Sequence, residues 1–497
     1  MKVVGCLLAA PLALWAAAVP VRNVPDPAIS TNLTRSRPAT AGKWFSLGEE
    51  PNLDYRGGDA PMEMIKAHAK FTKTLPPWLA NVVASNPDLR SKFSVKLQQS
   101  SMDTPDSLDA CALLTQPQDD GSGGVTGTVP ARPPPFIDIQ YVVPVDIGTP
   151  PQRVHLNLDT GSADLWTFST DTYRPRVNGQ TLYNPHKSST SKLQQSESWS
   201  VTYGDGAGAS GIVYKDRVQL GETSFDAQAV QSAVEVSYAI ADDQFSSGII
   251  GMAMNSINSV RPTKQKTYIE NIKGELEVPL FTVNLRKGRP GNYNFGYIDE
   301  SEYTGEIEYV PIKKGSHYWE VTVSGYQVGD EGEWQDHAWS GIVDTGTTLL
   351  LLPDHIIRDY YGKVPGASLD PHVGMITFPC DAELPDFVFG VGTGYKGRVP
   401  GDYINYTEAW PGVCYGGIQS SEGIGMAIIG DVLIKAQFVV FDMGNHTVGF
   451  ANKELDGMAP TASKPKPKTP GTRPGPPPKQ PVPQPEPASH GVGDVGN

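Results

Sequence analysis

Two tripeptides carry the residue types needed for hydrolytic chemistry. They are Asp159-Thr160-Gly161 and Asp344-Thr345-Gly346, 185 residues apart. Each opens a similar stretch: Asp159-Thr160-Gly161-Ser162-Ala163-Asp164-Leu165-Trp166 in the first, Asp344-Thr345-Gly346-Thr347-Thr348-Leu349-Leu350 in the second. An amide is a poor electrophile, and one route to its hydrolysis is a water activated by a general base while an acid delivers a proton. Two carboxylates about 3 Å apart cannot both ionise, so one keeps a proton and the pair can fill both roles. The flanking residues suit such a pair. Thr160 and Thr345 are placed for hydroxyl-to-backbone hydrogen bonds between the two loops. Ser162 and Thr347 are placed to donate to the outer carboxylate oxygens. Gly161 and Gly346 allow a sharp turn and close backbone approach.

Two equivalent carboxylates imply a duplicated support. Ile249-Ile250-Gly251 follows Asp159 by 90 residues, and Ile428-Ile429-Gly430 follows Asp344 by 84. Each half therefore reads as strand, Asp-Thr-Gly turn, further strands, then an apolar-apolar-Gly segment. Strand-like runs occupy 137–147, 154–158, 281–285 and 438–441, the first closed by the turn Gly148-Thr149-Pro150. The clearest helical signal is 354–361, after Pro353. The expected fold class is mostly β, built from two related β half-domains.

Charge and composition set the surroundings. The chain has 497 residues and a formal net charge of −14. Residues 128–455 hold 23 basic and 39 acidic groups, net −16, while 1–127 are balanced. So acidic a body repels phosphates, which argues against a nucleic-acid partner. It suits an acidic medium, where carboxylate self-repulsion falls. Lys2, the apolar run 3–15 and Ala16-Ala17-Ala18 read as a secretory signal over 1–18 rather than a membrane anchor. Of the four cysteines, Cys6 would leave with the signal and Cys111 precedes the body. Cys380 and Cys414 remain as the pair for an oxidising compartment. A zinc site fails for lack of ligands at suitable spacing, so no metal and no cofactor is expected. Residues 61–97 carry short helical signals, and 56–96 hold seven basic against three acidic groups. Residues 116–128 read as a cleavable linker. The tail 456–497 is Pro-rich, with 12 prolines after Asp456, and cannot pack a core.

These segments resemble pepsin-type aspartic proteases, and most the secreted fungal penicillopepsin and aspergillopepsin group, the family that supplies the standard case of a proton shared by two aspartates. Besides the two Asp-Thr-Gly stretches, the likeness lies in Val201-Thr202-Tyr203-Gly204-Asp205-Gly206, Tyr293-Asn294-Phe295-Gly296-Tyr297-Ile298-Asp299, Leu384-Pro385-Asp386-Phe387 and 416–434, within about 137–452. The resemblance implies a bilobal pepsin-like fold with the cleft between an N-terminal lobe, 128–312, and a C-terminal lobe, 313–455. It implies catalysis by Asp159 and Asp344 and a flap tipped by Tyr203, whose phenol hydrogen-bonds toward Trp166. Gly204 and Asp205 bind substrate backbone from the flap, and Gly346, Thr347 and Thr348 from the other side. An acidic flap residue such as Asp205 admits Lys to the P1 pocket in some relatives, although Ala207 stands where those carry Ser. The region around Phe71 resembles the family's propeptides, so 19–120 is expected to be an inhibitory propeptide with Lys70 or Lys73 reaching the dyad.

The expected activity is a secreted acid endopeptidase, acting as a monomer on proteins and peptides with hydrophobic residues around the scissile bond. It is expected to have no membrane or nucleic-acid partner and to carry glycans at the sequons of Asn405 and Asn445. Two rivals stand beside it. One is a glycosidase using paired carboxylates; the other is an inactive binding protein of the same fold.

Overall fold

The computed structural model describes residues 42–51, 59–72, 74–93, 141–202 and 208–457. Two compact units divide the chain, 1–41 and 42–497, and the described strands and helices all lie in the second. The signal segment 1–18, Lys73, the linker 116–128, Tyr203, Gly204, Asp205 and Ala207, and the tail beyond Gly457 lie outside the described residues.

The two halves repeat a motif. In the first, Gln152–Asp159 runs parallel to Gly248–Gly251, with Leu158 opposite Ile250 and Asp159 opposite Gly251. The other flank of Gly248–Gly251 pairs antiparallel with Leu165–Thr167. In the second, Trp339–Val343 runs parallel to Ala427–Ile429, with Ile342 opposite Ile428. Leu350–Leu352 then pairs antiparallel with that strand. Both Ile-Ile-Gly segments thus thread between the strand leading into an Asp-Thr-Gly turn and the strand leaving it. Their glycines are required by space. A Cβ on Gly251 would lie 2.6 Å from the Ser162 carbonyl oxygen, and one on Gly430 2.3 Å from that of Thr347. In the second half Ile342, Val343, Ile428 and Ile429 are all fully buried, so both faces of those strands are covered, whereas Gln152–Asp159 alternates, burying Val154, Leu156 and Leu158 and leaving Arg153 exposed.

A six-stranded sheet takes strands from both halves. Its order is Phe45–Gly48, Asn292–Phe295, Leu280–Asn284, Gln437–Asp442, Thr447–Asn452, Thr304–Pro311. The halves anticipated as 128–312 and 313–455 therefore share a sheet and one contiguous core. Four phenyl rings cross it. Phe45 stands opposite Phe295, Phe295 opposite Phe281, and Phe281 opposite Phe441. The ring centroids are 4.8, 5.7 and 4.7 Å apart and nearly parallel. Directly opposed aromatic pairs of this kind stabilise a sheet by roughly 0.5–1.5 kcal/mol each beyond their buried area. Phe45 is held from behind by Gly221, where a Cβ would come 2.2 Å from its ring.

Three helices precede the body: α1 Ala60–Phe71, α2 Pro77–Ser85 and α3 Pro87–Phe93. Asp59 caps α1 by accepting from the Met62 N–H, and Pro61 sits in the first turn, where a missing N–H is harmless. α1 and α2 bury Met62, Ile65 and Leu79 in one cluster with Leu351, Met375 and Ile428 of the second half. The helix Asp354–Tyr361 follows Pro353. Cys380 and Cys414 form a disulfide with Cα atoms 4.9 Å apart, joining the neighbourhood of two adjacent strands. Among the described residues no helix is long and apolar enough to cross a membrane.

Glu302 sits beside the shared sheet. Its two oxygens accept from the Asn292 and Asn294 side-chain amides, each at 2.7 Å. Burial, with help from Asp299, pushes its carboxyl up to about 7 against those hydrogen bonds. A carboxyl raised in the folded state adds stability in acid, and that contribution is lost as pH rises through about 7. The loss runs at about 1.4 kcal/mol per pH unit between the ordinary and raised values. Glu302→Gln should therefore narrow the difference in Tm between pH 5 and pH 8 by several degrees, read by thermal melts across pH 3 to 8. An unchanged difference would place the alkaline sensitivity elsewhere.

Candidate active site

The two Asp-Thr-Gly turns meet at the junction of the halves, and their contacts repeat with near two-fold symmetry. The Thr345 hydroxyl accepts from the Thr160 N–H at 3.1 Å and donates to the Leu158 carbonyl at 2.6 Å. Reciprocally, the Thr160 hydroxyl accepts from the Thr345 N–H at 3.0 Å and donates to the Val343 carbonyl at 2.9 Å. Each threonine thus uses one hydroxyl as both acceptor and donor to the opposite loop, a role that a Val in its place could not fill. Oδ1 of Asp159 accepts from the Gly161 N–H at 2.8 Å, and Oδ1 of Asp344 from the Gly346 N–H at 2.9 Å.

The glycines do more than turn the chain. A Cβ on Gly161 would lie 2.4 Å from Oδ1 of Asp344, and a Cβ on Gly346 would lie 2.3 Å from Oδ1 of Asp159. Each glycine leaves room for the carboxylate of the other half. Both aspartates are buried, Asp344 completely.

Lys70, in the last turn of α1, occupies the position between them. Its Nζ donates to Oδ1 of Asp159 at 2.7 Å and to both oxygens of Asp344 at 2.9 Å. Burial opposes ionisation of Asp159, but the Lys70 ammonium, helped by Asp344 and Ser162, outweighs it and holds the carboxyl below its ordinary value. Asp344 is pushed up to about 6 by burial, which together with the neighbouring Asp159 charge outweighs Lys70. Burial pushes the Lys70 ammonium down, while the two carboxylates more than offset that and raise it. One lysine between two aspartates is thus a charge-paired group with its donors used.

Other anticipated residues fall unevenly. Thr347 donates to Oδ2 of Asp344 through a short contact, as its placement predicts. Ser162 does not mirror it. Among the described residues its buried hydroxyl closes no direct hydrogen bond, yet it lies near enough to Asp159 to help hold that carboxyl down. Trp166 is buried against Trp199 and Phe168. Its indole N–H meets no acceptor among the described residues, and Tyr203, the partner implied by the family resemblance, lies outside them. The Thr348 hydroxyl donates to Oε2 of Glu63 at 3.3 Å.

Two contacts escaped the reading of the sequence. Glu63 and Lys70 are seven residues apart in α1, so they share a face; one meets Thr348 and the other the dyad. Phe71 packs edge-on to Tyr318, centroids 5.6 Å apart. The helical spacing was the signal available for Glu63; nothing local pointed to Tyr318. Among the described residues no group of three or more His, Cys, Asp or Glu could hold a metal ion. Asn445 lies exposed in the turn before Thr447, whereas Asn405 is half-buried at the start of a strand with its amide on the Cys380 carbonyl.

Residues 140–453 match the family described as eukaryotic aspartyl protease. The chain is 40% identical over 416 residues to endothiapepsin of Cryphonectria parasitica, covering 83% of this chain and 91% of that protein. It is 46% identical to podosporapepsin of Podospora anserina, over 66% and 78% of the two chains. It is 43% identical to penicillopepsin-2 of Penicillium janthinellum, over 63% and 78%.

The close approach of each glycine to the opposite carboxylate gives a direct test. Gly346→Ala puts a methyl where Oδ1 of Asp159 sits, so the loops must separate. Peptidase kcat should fall by about 100-fold or more, the usual consequence of misplacing reacting groups by an ångström. An Ala variant with full kcat would show that the carboxylates do not need this spacing.

Proposed function

The chain belongs to the eukaryotic aspartyl protease family and is an aspartic endopeptidase; on that premise we propose that it is made as an inactive precursor. Residues 19–120 form the propeptide, and 128–312 and 313–455 are the two catalytic lobes. The observation that carries this reading is the Lys70 ammonium on both carboxylates, a side chain contributed from outside the family match. Polysaccharide hydrolysis, the other chemistry open to paired carboxylates, falls away with the family assignment.

In the released cleft a water takes the place of Lys70 Nζ. One carboxylate draws its proton as the oxygen attacks the peptide carbonyl, and the protonated partner donates to the substrate oxygen. The pair shares one proton, so the aspartate that keeps it serves as the acid and the other as the base. Thr160 and Thr345 keep the two loops in register throughout. Tyr203, Gly204 and Asp205 close over an extended substrate, with Trp166 behind them and Thr348 on the far side. Asp205 gives the P1 pocket, otherwise suited to hydrophobic residues, a place for Lys.

Acid removes the lock, and the sign follows from the pairing. Lys70 lowers both carboxyls relative to a cleft without it, so docking expels protons and rising acidity reverses docking. The Asp159 contribution is present above the ordinary carboxylate value and is lost as pH falls through its lowered value. Secretion after removal of 1–18 agrees with the Cys380–Cys414 disulfide, a bond of oxidising compartments. Exposed Asn445 is the better glycan acceptor of the two sequons. The enzyme acts as a monomer, and the tail after Asp456 takes no part in catalysis.

Asp159→Asn and Asp344→Asn should each abolish hydrolysis of a protein substrate, by at least about 10⁴-fold in kcat, without loss of fold. A statine-type inhibitor should block the wild type and EDTA should leave it unchanged. Lys70→Met should make the full-length chain active at pH 7 without processing. Retained activity in either Asn variant, or loss to EDTA alone, contradicts the mechanism. A wild-type chain active at pH 7 with its N-terminus intact contradicts the precursor.

A further inference from the structure

α1 carries a second titratable group that the catalytic chemistry does not use. His68 is wholly buried, two residues before the lysine that sits on the dyad. Its Nδ1 lies 3.0 Å from the Met64 carbonyl oxygen one turn back. A carbonyl only accepts, so Nδ1 carries the proton and Nε2 is the bare nitrogen of a neutral ring. Nε2 is buried and has no hydrogen-bond partner among the described residues. The ring stands edge-on to Trp78 of α2, centroids 5.5 Å apart and planes at 86°.

The seam around it is tight and apolar. Trp78 and Val82 rest on Gly374, where a Cβ would come within 3.0 and 3.2 Å of them. Pro76 rests on Gly423, where a Cβ would come 2.3 Å from its ring. Both glycines have positive φ and belong to turns of the second half. The charges on the surrounding elements are engaged elsewhere or face solvent. On α1, Glu63 bridges Lys66 and Thr348, and Lys70 is on the dyad. α2 carries no titratable side chain. Asp88 and Arg90 lie on α3, and Asp370 and His372 lie in the turn that meets Asn86. The loop of the second half that meets the ring presents the Glu422 backbone carbonyl, while the Glu422 residue itself is exposed. Burial holds the imidazole below its ordinary value, and the Met64 and Glu422 carbonyls only partly offset it.

We propose that His68 is an acid sensor for release of the prosegment: it docks as a neutral ring, and uptake of one solvent proton at Nε2 expels α1 from its seam and draws Lys70 off the dyad. The proposal rests on the inhibitory reading of the prosegment. A released histidine titrates near about 6.5, so docking through this group is complete above that value. It is lost as pH falls from there toward the lowered value in the docked state, by up to about tenfold in the docking constant per pH unit. Of the carboxylates under Lys70, Asp159 is the one held below its ordinary value, so His68 answers before it on the way down, while Asp344 is pushed up to about 6.

The test compares the wild-type full-length chain with His68→Gln and His68→Arg, following loss of the prosegment by mass spectrometry from pH 3 to 8. Gln keeps a donor for Met64 but cannot become charged. Its release at pH 5 should be roughly tenfold slower than wild type, with the two converging near pH 3. Arg is always charged and should give a chain that cleaves added peptide at pH 7 without an acid step. Superimposed wild-type and Gln profiles overturn the sensor, as does a latent Arg chain. A check needing no variant is deuterium exchange at the His68 ring carbon at pH 7. It should be at least about tenfold slower than at exposed His317, and equal rates overturn the proposal. Wild-type activity at pH 7 with an intact N-terminus would overturn the inhibitory reading instead, which separates the two failures.

Discussion

Two carboxylates must be held together in a dry pocket although their charges repel, and the molecule is arranged around that constraint. The force that opposes repulsion is not one strong bond. It is the reciprocal hydrogen bonding of Thr160 and Thr345, each accepting from the other's backbone N–H and donating to a carbonyl beyond it. Four hydrogen bonds at about 1 kcal/mol each are modest in sum. They succeed because the loops cannot easily move apart for other reasons. Gly251 and Gly430 are packed against the carbonyls of Ser162 and Thr347, and the two halves share a sheet whose stacked phenyl rings run from Phe295 through Phe281 to Phe441.

A site built to hold two negative charges close is also the strongest available anchor for one positive charge. Lys70 exploits this without any special pocket of its own. Its ammonium reaches three carboxylate oxygens because α1 lies along the second half and ends immediately after it, at Phe71, with Thr72 already extended. The apolar contacts of Met62, Ile65 and Leu79 set the helix in position, and the charge fixes its register. The proposed latency would therefore draw on the same electrostatics as catalysis: two close carboxylates that favour sharing a proton also favour holding a cation.

The catalytic geometry was largely legible because it depends on local necessity. An Asp-Thr-Gly turn needs its glycine for space and its threonine for a hydroxyl, and the Ile-Ile-Gly partner recurs at a similar distance in each half. What stayed hidden depends on three-dimensional context. Lys70 and Lys73 are three residues apart and share a helical face in sequence terms, so only the end of α1 at Phe71 distinguishes them. The sheet shared by the halves joins Leu280–Asn284 to Gln437–Asp442, a pairing across more than 150 residues that no local pattern announces. Ser162 and Thr347 occupy equivalent positions, yet among the described residues only Thr347 closes a direct hydrogen bond to its aspartate, a difference that the duplicated sequence does not announce.

A precursor of the kind proposed has to be both secure and releasable. An inhibitor held by charge alone would need acid strong enough to protonate Asp159, whose carboxyl lies below its ordinary value while the lysine is docked. An inhibitor held by apolar packing alone would not respond to acid at all. α1 combines the two along one helix: Lys70 on the carboxylates at its C-terminal end, a neutral histidine in the apolar seam two residues before it, and Glu63 on Thr348 further back toward the N-terminal end. The Asp159 contact and the buried imidazole weaken in the same direction as pH falls, the imidazole in milder acid. Their linkage through a single rigid element makes displacement cooperative, since a helix that leaves its seam at His68 cannot keep Lys70 between the aspartates.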